Sequence, residues 1–365
     1  METISRIYRD INGIELESIN CIFCGCIENT VLFSGSDRLH KKPGAFNVVR
    51  CKTCGLVYTN PRPSLSQMGL YYPVEYGPHG DATDQDIQIN IGFMNKGKNR
   101  LDKFKNWMKG IILDQYYGYD PEVIFGVSIP KSGLLRRSLK YVMFPFSFYV
   151  KNLYYKIPRN VTEGKVMDVG CGNGGYIMLL KKMGWEVYGI DISTNALEKI
   201  KPDAKTHVLT GELIEQDLPE NQFDLVTMWH SLEHMRDPRE ILRKIYSITK
   251  PGGKLLLCVP NYANVIAKLF RQRWFALDLP RHLFHFTPVM LKKMLLSAGF
   301  QVNSVRYIPF NTSFPVSLEY WLEEKHLRKI DINKNKILRR MFRWVIRSLA
   351  LIHQSEVVFV EARKG

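Results

Sequence analysis

The sequence predicts an α/β chain: a mainly parallel, doubly wound sheet with a small four-cysteine head and helical insertions. Three observations carry this. Residues 161–310 alternate short apolar segments of strand length with helix-periodic segments, and repeated strand–helix units require parallel strands. A glycine-rich turn closes the first of those strands at Gly170. Two Cys-x-x-Cys pairs, Cys21/Cys24 and Cys51/Cys54, come before the rest.

Residues 1–65 hold five of the seven cysteines and end in the turn-rich Thr59-Asn60-Pro61-Arg62-Pro63. Each Cys-x-x-Cys pair makes a tight knuckle, and two knuckles present four thiolates to one zinc ion tetrahedrally. Such a closed site has no open position, so the zinc is expected to be structural. It would supply the stability that so small a ribbon lacks. Cys26 is a spare that could replace Cys24, and free thiols or a transient disulfide are the plain alternative. The odd cysteine count and the metal spacing fit a reducing cytoplasm.

Residues 66–160 read as an aromatic, basic helical cap or lid. The chain carries a net charge of +16, and two insertions hold nearly all of it. Residues 96–160 contain 13 basic, 4 acidic and 13 aromatic residues, and residues 313–353 contain 9 basic and 4 acidic. Such segments should meet something anionic. The apolar stretch 141–150 is flanked by Arg136, Arg137, Lys140, Lys151 and Lys156. That pattern suits an anionic bilayer interface, a lid over a lipid- and phosphate-bearing substrate, or a cap packed on the body. No apolar stretch reaches 18 residues, so no transmembrane helix is expected, and the charged N-terminus does not read as a secretory signal.

Within residues 161–365, strands are predicted at 165–169, 186–190, 205–209, 223–229, 254–259, 301–308 and 356–361. Helices are predicted at 176–183, stopped by Gly184, and at 193–200, capped by Ser193. Two more are predicted at 238–249, with Pro238 in the first turn, and at 287–298, closed by Gly299. Residues 251–253 read as a turn. A basic helical insertion occupies about 311–353. Across 336–352, Lys336, Arg339, Arg340, Arg343 and Arg347 share one face, while Leu338, Met341, Phe342, Val345, Leu349 and Ile352 lie opposite and should pack on the body.

The first strand leads into Asp168-Val-Gly170-Cys-Gly172-Asn-Gly174-Gly175. Glycines let the backbone turn tightly and approach a ligand, and the following helix offers free amides. Asp191, 21 residues after Gly170, can accept both hydroxyls of a ribose. Gly170, Gly172 and Gly175 also satisfy the dinucleotide fingerprint. Asp168 discriminates between the two: a carboxylate there would repel a pyrophosphate but suits the ammonium of S-adenosylmethionine (SAM).

With Gly189-Ile-Asp-Ile-Ser193, Phe223-Asp-Leu-Val226, His230-Ser-Leu-Glu-His-Met-Arg-Asp-Pro238 and Lys250-Pro-Gly-Gly-Lys-Leu255, this segment resembles the class I SAM-dependent methyltransferases. The resemblance implies a Rossmann-like, seven-stranded sheet whose last strand is antiparallel. It implies that Gly170, Cys171 and Gly172 line the methionine part of SAM and that Asp191 and Ile192 hold the ribose region. Glu212 falls near the adenine amine, with Leu213 beside it. The cysteine pairs and Pro280-Arg-His-Leu-Phe-His-Phe-Thr287 look like a bacterial subgroup with a zinc-ribbon head that often acts on sugars or glycans, and so on polysaccharide biosynthesis.

Three histidines, His230, His234 and His282, are the candidate catalytic bases for a hydroxyl acceptor. The ligand crevice lies beyond the carboxyl ends of the strands, where strand four delivers His230. The plain alternative has Glu233 and His234 bracing the next helix, and the loop of His282 and His285 as a hydrogen-bonded brace. Some quinone-biosynthesis methyltransferases, which the core resembles, carry Glu-x-x-Glu-His here and bind magnesium. This chain has His230 in place of the first Glu, and magnesium prefers oxygen ligands. The function expected is methyl transfer from SAM to a hydroxyl of a sugar, glycan or lipid-linked small molecule. A cytoplasmic location with peripheral contact to an anionic membrane goes with it. The alternatives are a zinc-ribbon RNA methyltransferase and a non-catalytic SAM- and zinc-binding module. His-Ser-Leu-Glu-His in place of an Asn-Pro-Pro-aromatic segment disfavours the RNA reading.

Overall fold

The computed structural model describes residues 5–11, 13–73, 100–129, 134, 138, 139, 141, 156–310, 312–327 and 336–365. The N-terminal strands are β1 (Ser5–Arg9), β2 (Glu15–Ile19), β3 (Asn29–Gly35), β4 (Phe46–Cys51), β5 (Val57–Thr59) and β6 (Arg62–Pro63). The central strands are β7 (Lys165–Val169), β8 (Glu186–Asp191), β9 (Thr206–Thr210), β10 (Phe223–Trp229) and β11 (Thr249–Pro260). The last are β12 (Phe284–His285), β13 (Phe300–Ile308) and β14 (Val357–Lys364).

Seven strands form one sheet in the order β13-β14-β11-β10-β7-β8-β9. β7 pairs in parallel with β8 and β10, and β8 with β9, while β14 is antiparallel to β11 and β13. The expected seven strands and antiparallel last strand are both present. The order reverses about β7, which makes its carboxyl end the switch point of a doubly wound sheet.

The chain divides into two compact units, Gly77–Thr227 and Met1–Tyr76 with Met228–Gly365. In the first, apolar β7 and β8 are covered by the helix Gly175–Lys182, whose Ile177, Leu179 and Leu180 are buried. The predicted helix at 193–200 shrinks to Thr194–Leu197, still capped by Ser193, whose hydroxyl accepts from Ala196 N. Earlier in this unit, the helix Arg100–Ile112 buries Ile111 and Ile112 in a small cluster with Ile129. The apolar stretch at 142–150, with Arg136, Arg137, Lys140 and Lys151, lies outside the described residues.

The second unit holds the N-terminal strands in two small sheets, β1-β2-β6 and β12-β5-β4-β3. One expectation is corrected here. Residues 251–253 are not a turn but part of β11, which extends over Thr249–Pro260 with Gly252 at φ 77°. The segment of His282 and His285 is built into the ribbon. Arg281, Leu283, Phe284 and Phe286 are all buried, and β12 adds an edge to the ribbon by pairing with β5. The reason is an apolar core in which Ile14, Phe46 and Val48 pack with Phe270, Trp274 and Leu279.

The helix Lys336–Leu351 forms as expected, but only part of its apolar surface is covered. Phe342 meets the Phe314 ring at 4.8 Å and Ile346 is buried. Met341, Val345 and Ile352, expected to pack, face solvent together with Trp344 and Leu351. Apolar residues occupy a wider arc of this helix than one neighbour can cover.

Candidate functional site

The glycine turn follows directly from β7. Gly170 and Cys171 both donate through backbone N–H to Ile190 O, at 2.8 and 3.0 Å. Gly170, Gly172 and Gly174 have φ of 77°, 52° and 76°, a region that side chains rarely adopt. A Cβ on Gly174 would also lie 2.4 Å from the Ile200 side chain. Asp191, at the end of β8, locks the turn: its carboxylate accepts from Gly172 N at 2.8 Å and Ser193 N at 3.0 Å.

Asp168 is buried, and its Oδ1 accepts from Thr227 Oγ1 at 2.6 Å. Burial pushes its carboxyl up to about 7, against the opposing Thr227 hydrogen bond. Cys171 is buried against Gly189, where an added Cβ would lie 2.8 Å from Sγ. Its backbone, not its thiol, is therefore the part placed on the turn. Ile192 is 61% exposed beside Asp191, Leu213 is buried, and Glu212 is half-buried at the start of the short turn Leu213–Glu215. The structure thus gathers Asp168, Gly170, Cys171, Gly172, Asp191 and Ile192 at the carboxyl ends of β7 and β8.

In the other unit, β10 ends at Trp229, and His230 follows at φ 55°. His230 Nδ1 lies 3.4 Å from Glu233 Oε1, and its Nε2 lies 3.8 Å from Cys258 Sγ. Burial opposes charge on His230, but Cys258 and the Glu233 carboxylate outweigh it and raise the imidazole to about 10. His234 is the reverse case: burial, reinforced by His282, lowers it to about 4. The His234 and His282 rings meet edge to face at 4.6 Å. The N-cap of the helix Pro238–Ile248 is Asp237, which accepts from Arg239 N and Glu240 N, so Glu233 and His234 are not needed to brace that helix.

Sequence reasoning missed Asp37, Asp278 and Tyr72, which build this cluster with Arg281. Arg281 is buried and grips Asp37 with both Nη atoms, at 3.0 and 2.8 Å, and Asp278 through Nε at 3.0 Å. Its fork fixes the backbone next to His282. Tyr72 Oη lies 2.9 Å from His234 Nδ1. Asp37 and Tyr72 are far from the cluster in sequence and carry no motif, so no local signal marked them.

The four cysteines also come together. Cys21 Sγ is 3.5 Å from Cys54 Sγ, Cys24 Sγ is 3.5 Å from Cys51 Sγ, and all four sulfurs lie within 4.8 Å of one another. Zn–S bonds of ~2.3 Å in a tetrahedron require S···S near ~3.8 Å. The donor set and spacing therefore fit zinc. The two knuckles are built alike, with Gly25 N donating to Cys21 O and Gly55 N to Cys51 O, each glycine left-handed. Cys26 Sγ turns instead to Glu28 O.

A family model described as a methyltransferase domain matches residues 143–305. The ubiquinone biosynthesis O-methyltransferase of Psychrobacter arcticus is 31% identical over 186 residues, spanning 46% of this chain and 68% of that one. The protein of the same name from Pseudomonas entomophila is 35% identical over 183 residues, spanning 46% and 75%. Among solved structures, a SAM-dependent methyltransferase from Archaeoglobus fulgidus is 24% identical, covering 62% of this chain and 94% of that one, with a TM-score of 0.39. Catalytic-class assignment thus replaces the non-catalytic alternative, and SAM is the methyl donor. The chain belongs to the class I SAM-dependent methyltransferases.

Proposed function

We propose that the protein transfers the SAM methyl group to a hydroxyl of a small acceptor carrying a lipid or glycan part. The observation that carries this reading is the Asp191 carboxylate, which closes the glycine turn through Gly172 N at the carboxyl end of β8, where a ribose would lie. Gly170, Cys171 and Gly172 would line the methionine part through their backbone, Asp168 would take the ammonium, and Ile192, Glu212 and Leu213 would flank the adenosine. Two relatives named for O-methylation support an oxygen acceptor. Methyl transfer is a direct displacement, so the enzyme's work is to align the acceptor oxygen with the sulfonium and to remove its proton.

Of the three histidines, His230 is charged near neutral pH and suits holding an acceptor oxygen by donation. His234 and His282, each with Nδ1 against a backbone carbonyl, are the candidate bases. We read residues 1–65 as a ribbon holding one structural zinc on Cys21, Cys24, Cys51 and Cys54, residues 66–160 as a cap, and residues 161–365 as the catalytic domain with its insertion at about 311–353. Among the described residues no helix is long and apolar enough to cross a membrane. The exposed apolar stripe of the helix Lys336–Leu351, with exposed Arg340 and Arg347, supports peripheral contact with an anionic membrane on the cytoplasmic side.

The test is calorimetry with SAM, followed by methyl-transfer assays on polyprenyl-linked sugars and polyprenyl-linked phenols. Asp191→Ala should weaken SAM by removing ribose hydrogen bonds worth ~1.5–3 kcal/mol each for a charged acceptor. Unchanged affinity in that variant would remove Asp191 from the site. Turnover of the phenol alone would move the acceptor away from glycans.

A further inference from the structure

We propose that Arg50, Arg271 and Tyr262 form a binding site for a phosphate group, and that the group it takes is the phosphate or diphosphate of the acceptor. The three residues belong to one compact unit, at the place where the ribbon meets the segment after β11.

Strand alternation brings Arg50 to the site. Phe46, Val48 and Arg50 lie two residues apart along β4 and so share a face. Phe46 and Val48 are buried in the apolar core that includes Ile266 and Phe270 of the helix Val265–Phe270, and Tyr262 packs against that core. Arg50 stands exposed at the end of this face.

Arg271 arrives from the other side. It directly follows the helix Val265–Phe270 with φ 50°, a value that favours glycine and persists in other residues only where the surroundings impose it. Its Nη2 donates to Leu32 O of β3 at 3.2 Å, and its guanidinium lies 5.9 Å from the centroid of the Phe33 ring. Most of its N–H donors remain available.

Tyr262 lies between the two. Burial raises its phenol, and Arg50 and Arg271 both pull it back down, so both guanidiniums stand near one hydroxyl. Among the described residues that hydroxyl makes no hydrogen bond, and no carboxylate lies within ion-pair distance of Arg50 or Arg271. Arg273, two residues on, is by contrast neutralised by Glu324. Two uncompensated cations and a phenol O–H suit an anion with more than one charge and several acceptor oxygens. Phosphate meets both conditions and matches the planar fork of arginine.

The position connects this site to the chemistry. Tyr262 follows the carboxyl end of β11 by two residues. Its N donates to Phe286 O at 2.8 Å, and its ring lies 5.8 Å from the His285 ring. The site is thereby joined to the segment of the candidate base His282, and a phosphate held there would anchor an acceptor without occupying its reacting hydroxyl. That role rests on the methyl-transfer reading, whereas phosphate binding does not.

The test is calorimetric titration of the full-length protein with inorganic pyrophosphate at low salt, which should give one site per chain. Arg50→Gln and Arg271→Gln should each weaken binding at least ~10-fold, the size of one charge-assisted hydrogen bond. Tyr262→Phe should weaken it by a smaller factor, with an unchanged circular dichroism spectrum. Arg340→Gln combined with Arg347→Gln removes the same kind of charge elsewhere and should leave pyrophosphate binding as it is. SAM titration of the same proteins keeps the two readings apart: a wild type that binds pyrophosphate but not SAM would defeat methyl transfer and leave the phosphate site standing. The Arg50/Arg271 double variant should still co-sediment with phosphatidylglycerol vesicles. Loss of that binding would assign the phosphate to a lipid head group and overturn the acceptor assignment. The site itself is overturned if wild type binds no pyrophosphate, if the Arg50 and Arg271 variants bind it as wild type does, or if the Arg340/Arg347 variant loses as much affinity as they do.

Discussion

Asp168 lies inside the glycine turn with a carboxyl raised to about 7 by burial, so near neutral pH it is divided between its two states. An ammonium beside it favours the ionised form, and below about pH 7 binding must expel a proton. SAM affinity should therefore fall as pH drops through about 7, by up to ~10-fold per pH unit, and Asp168→Asn should remove that dependence. Calorimetry in buffers of different ionisation heat measures both the affinity and the proton release. A flat profile from about pH 8 to about pH 6 would separate Asp168 from the ammonium. His230 gives a stability prediction of its own. Its folded value, about 10, lies above the unfolded ~6.5, so its stabilisation is fully present below ~6.5 and is lost as pH rises through about 10. Denaturant unfolding should show stability falling across that window, less steeply in His230→Ala. A group charged at neutral pH does not accept a proton, so His230→Asn should cost less than the ~10²–10⁴-fold expected for loss of a general base. A larger loss would reinstate it as the base.

The ribbon is the element with consequences beyond itself. β5 pairs with β12, Thr59 N donates to Leu283 O at 2.9 Å, and Thr59 Oγ1 donates to His282 O at 2.9 Å. A zinc held by Cys51 and Cys54, just ahead of β5, would act on His282 through backbone bonds while touching no substrate. Metal analysis should give at least one zinc per chain. Cys51→Ser should lose the thiolate-bound ion, lower the melting temperature and reduce turnover, with SAM affinity far less affected. Full activity and full zinc retention in Cys51→Ser would dissolve the four-cysteine site. The knuckle spacing made this element legible from sequence, because each Cys-x-x-Cys turn fixes its own geometry locally. The role of β12 was not legible, because a two-residue strand carries no periodicity and its pairing is a long-range event.

On the scale of the whole molecule, charge and exposed apolar surface coincide. The net +16 is concentrated in two insertions, and the second presents Met341, Trp344, Val345, Leu351 and Ile352 to solvent. Two such surfaces would repel one another, whereas an anionic bilayer complements both the arginines and the apolar stripe. The protein should co-sediment with vesicles containing phosphatidylglycerol, and less so as salt shortens the screening length. Replacing Arg340 and Arg347 with Gln should weaken partitioning by about 2 kcal/mol, roughly thirtyfold, at ~1 kcal/mol per arginine. Trp344→Ser should weaken it further, with SAM affinity intact. Equal binding to neutral and anionic vesicles would reduce the basic face to a solvated surface.

By itself the sequence determined the seven strand segments, the glycine turn with Asp191, and the two cysteine knuckles, while the antiparallel last strand came from the resemblance to the class I methyltransferases. Each of the first three is written in local order: strand periodicity, glycine at left-handed positions, or a fixed spacing between ligands. The tertiary structure decided which polar groups lie together without satisfying one another. Glu233 reads in sequence as an ordinary helix-flanking carboxylate, and only folding buries it with no hydrogen bond to either oxygen. His282 reads as a loop histidine, and only the Arg281–Asp37 pair and the β5–β12 edge bring it to His234. Burial and pairing between distant segments depend on how the whole chain excludes water, and no short stretch of sequence encodes that.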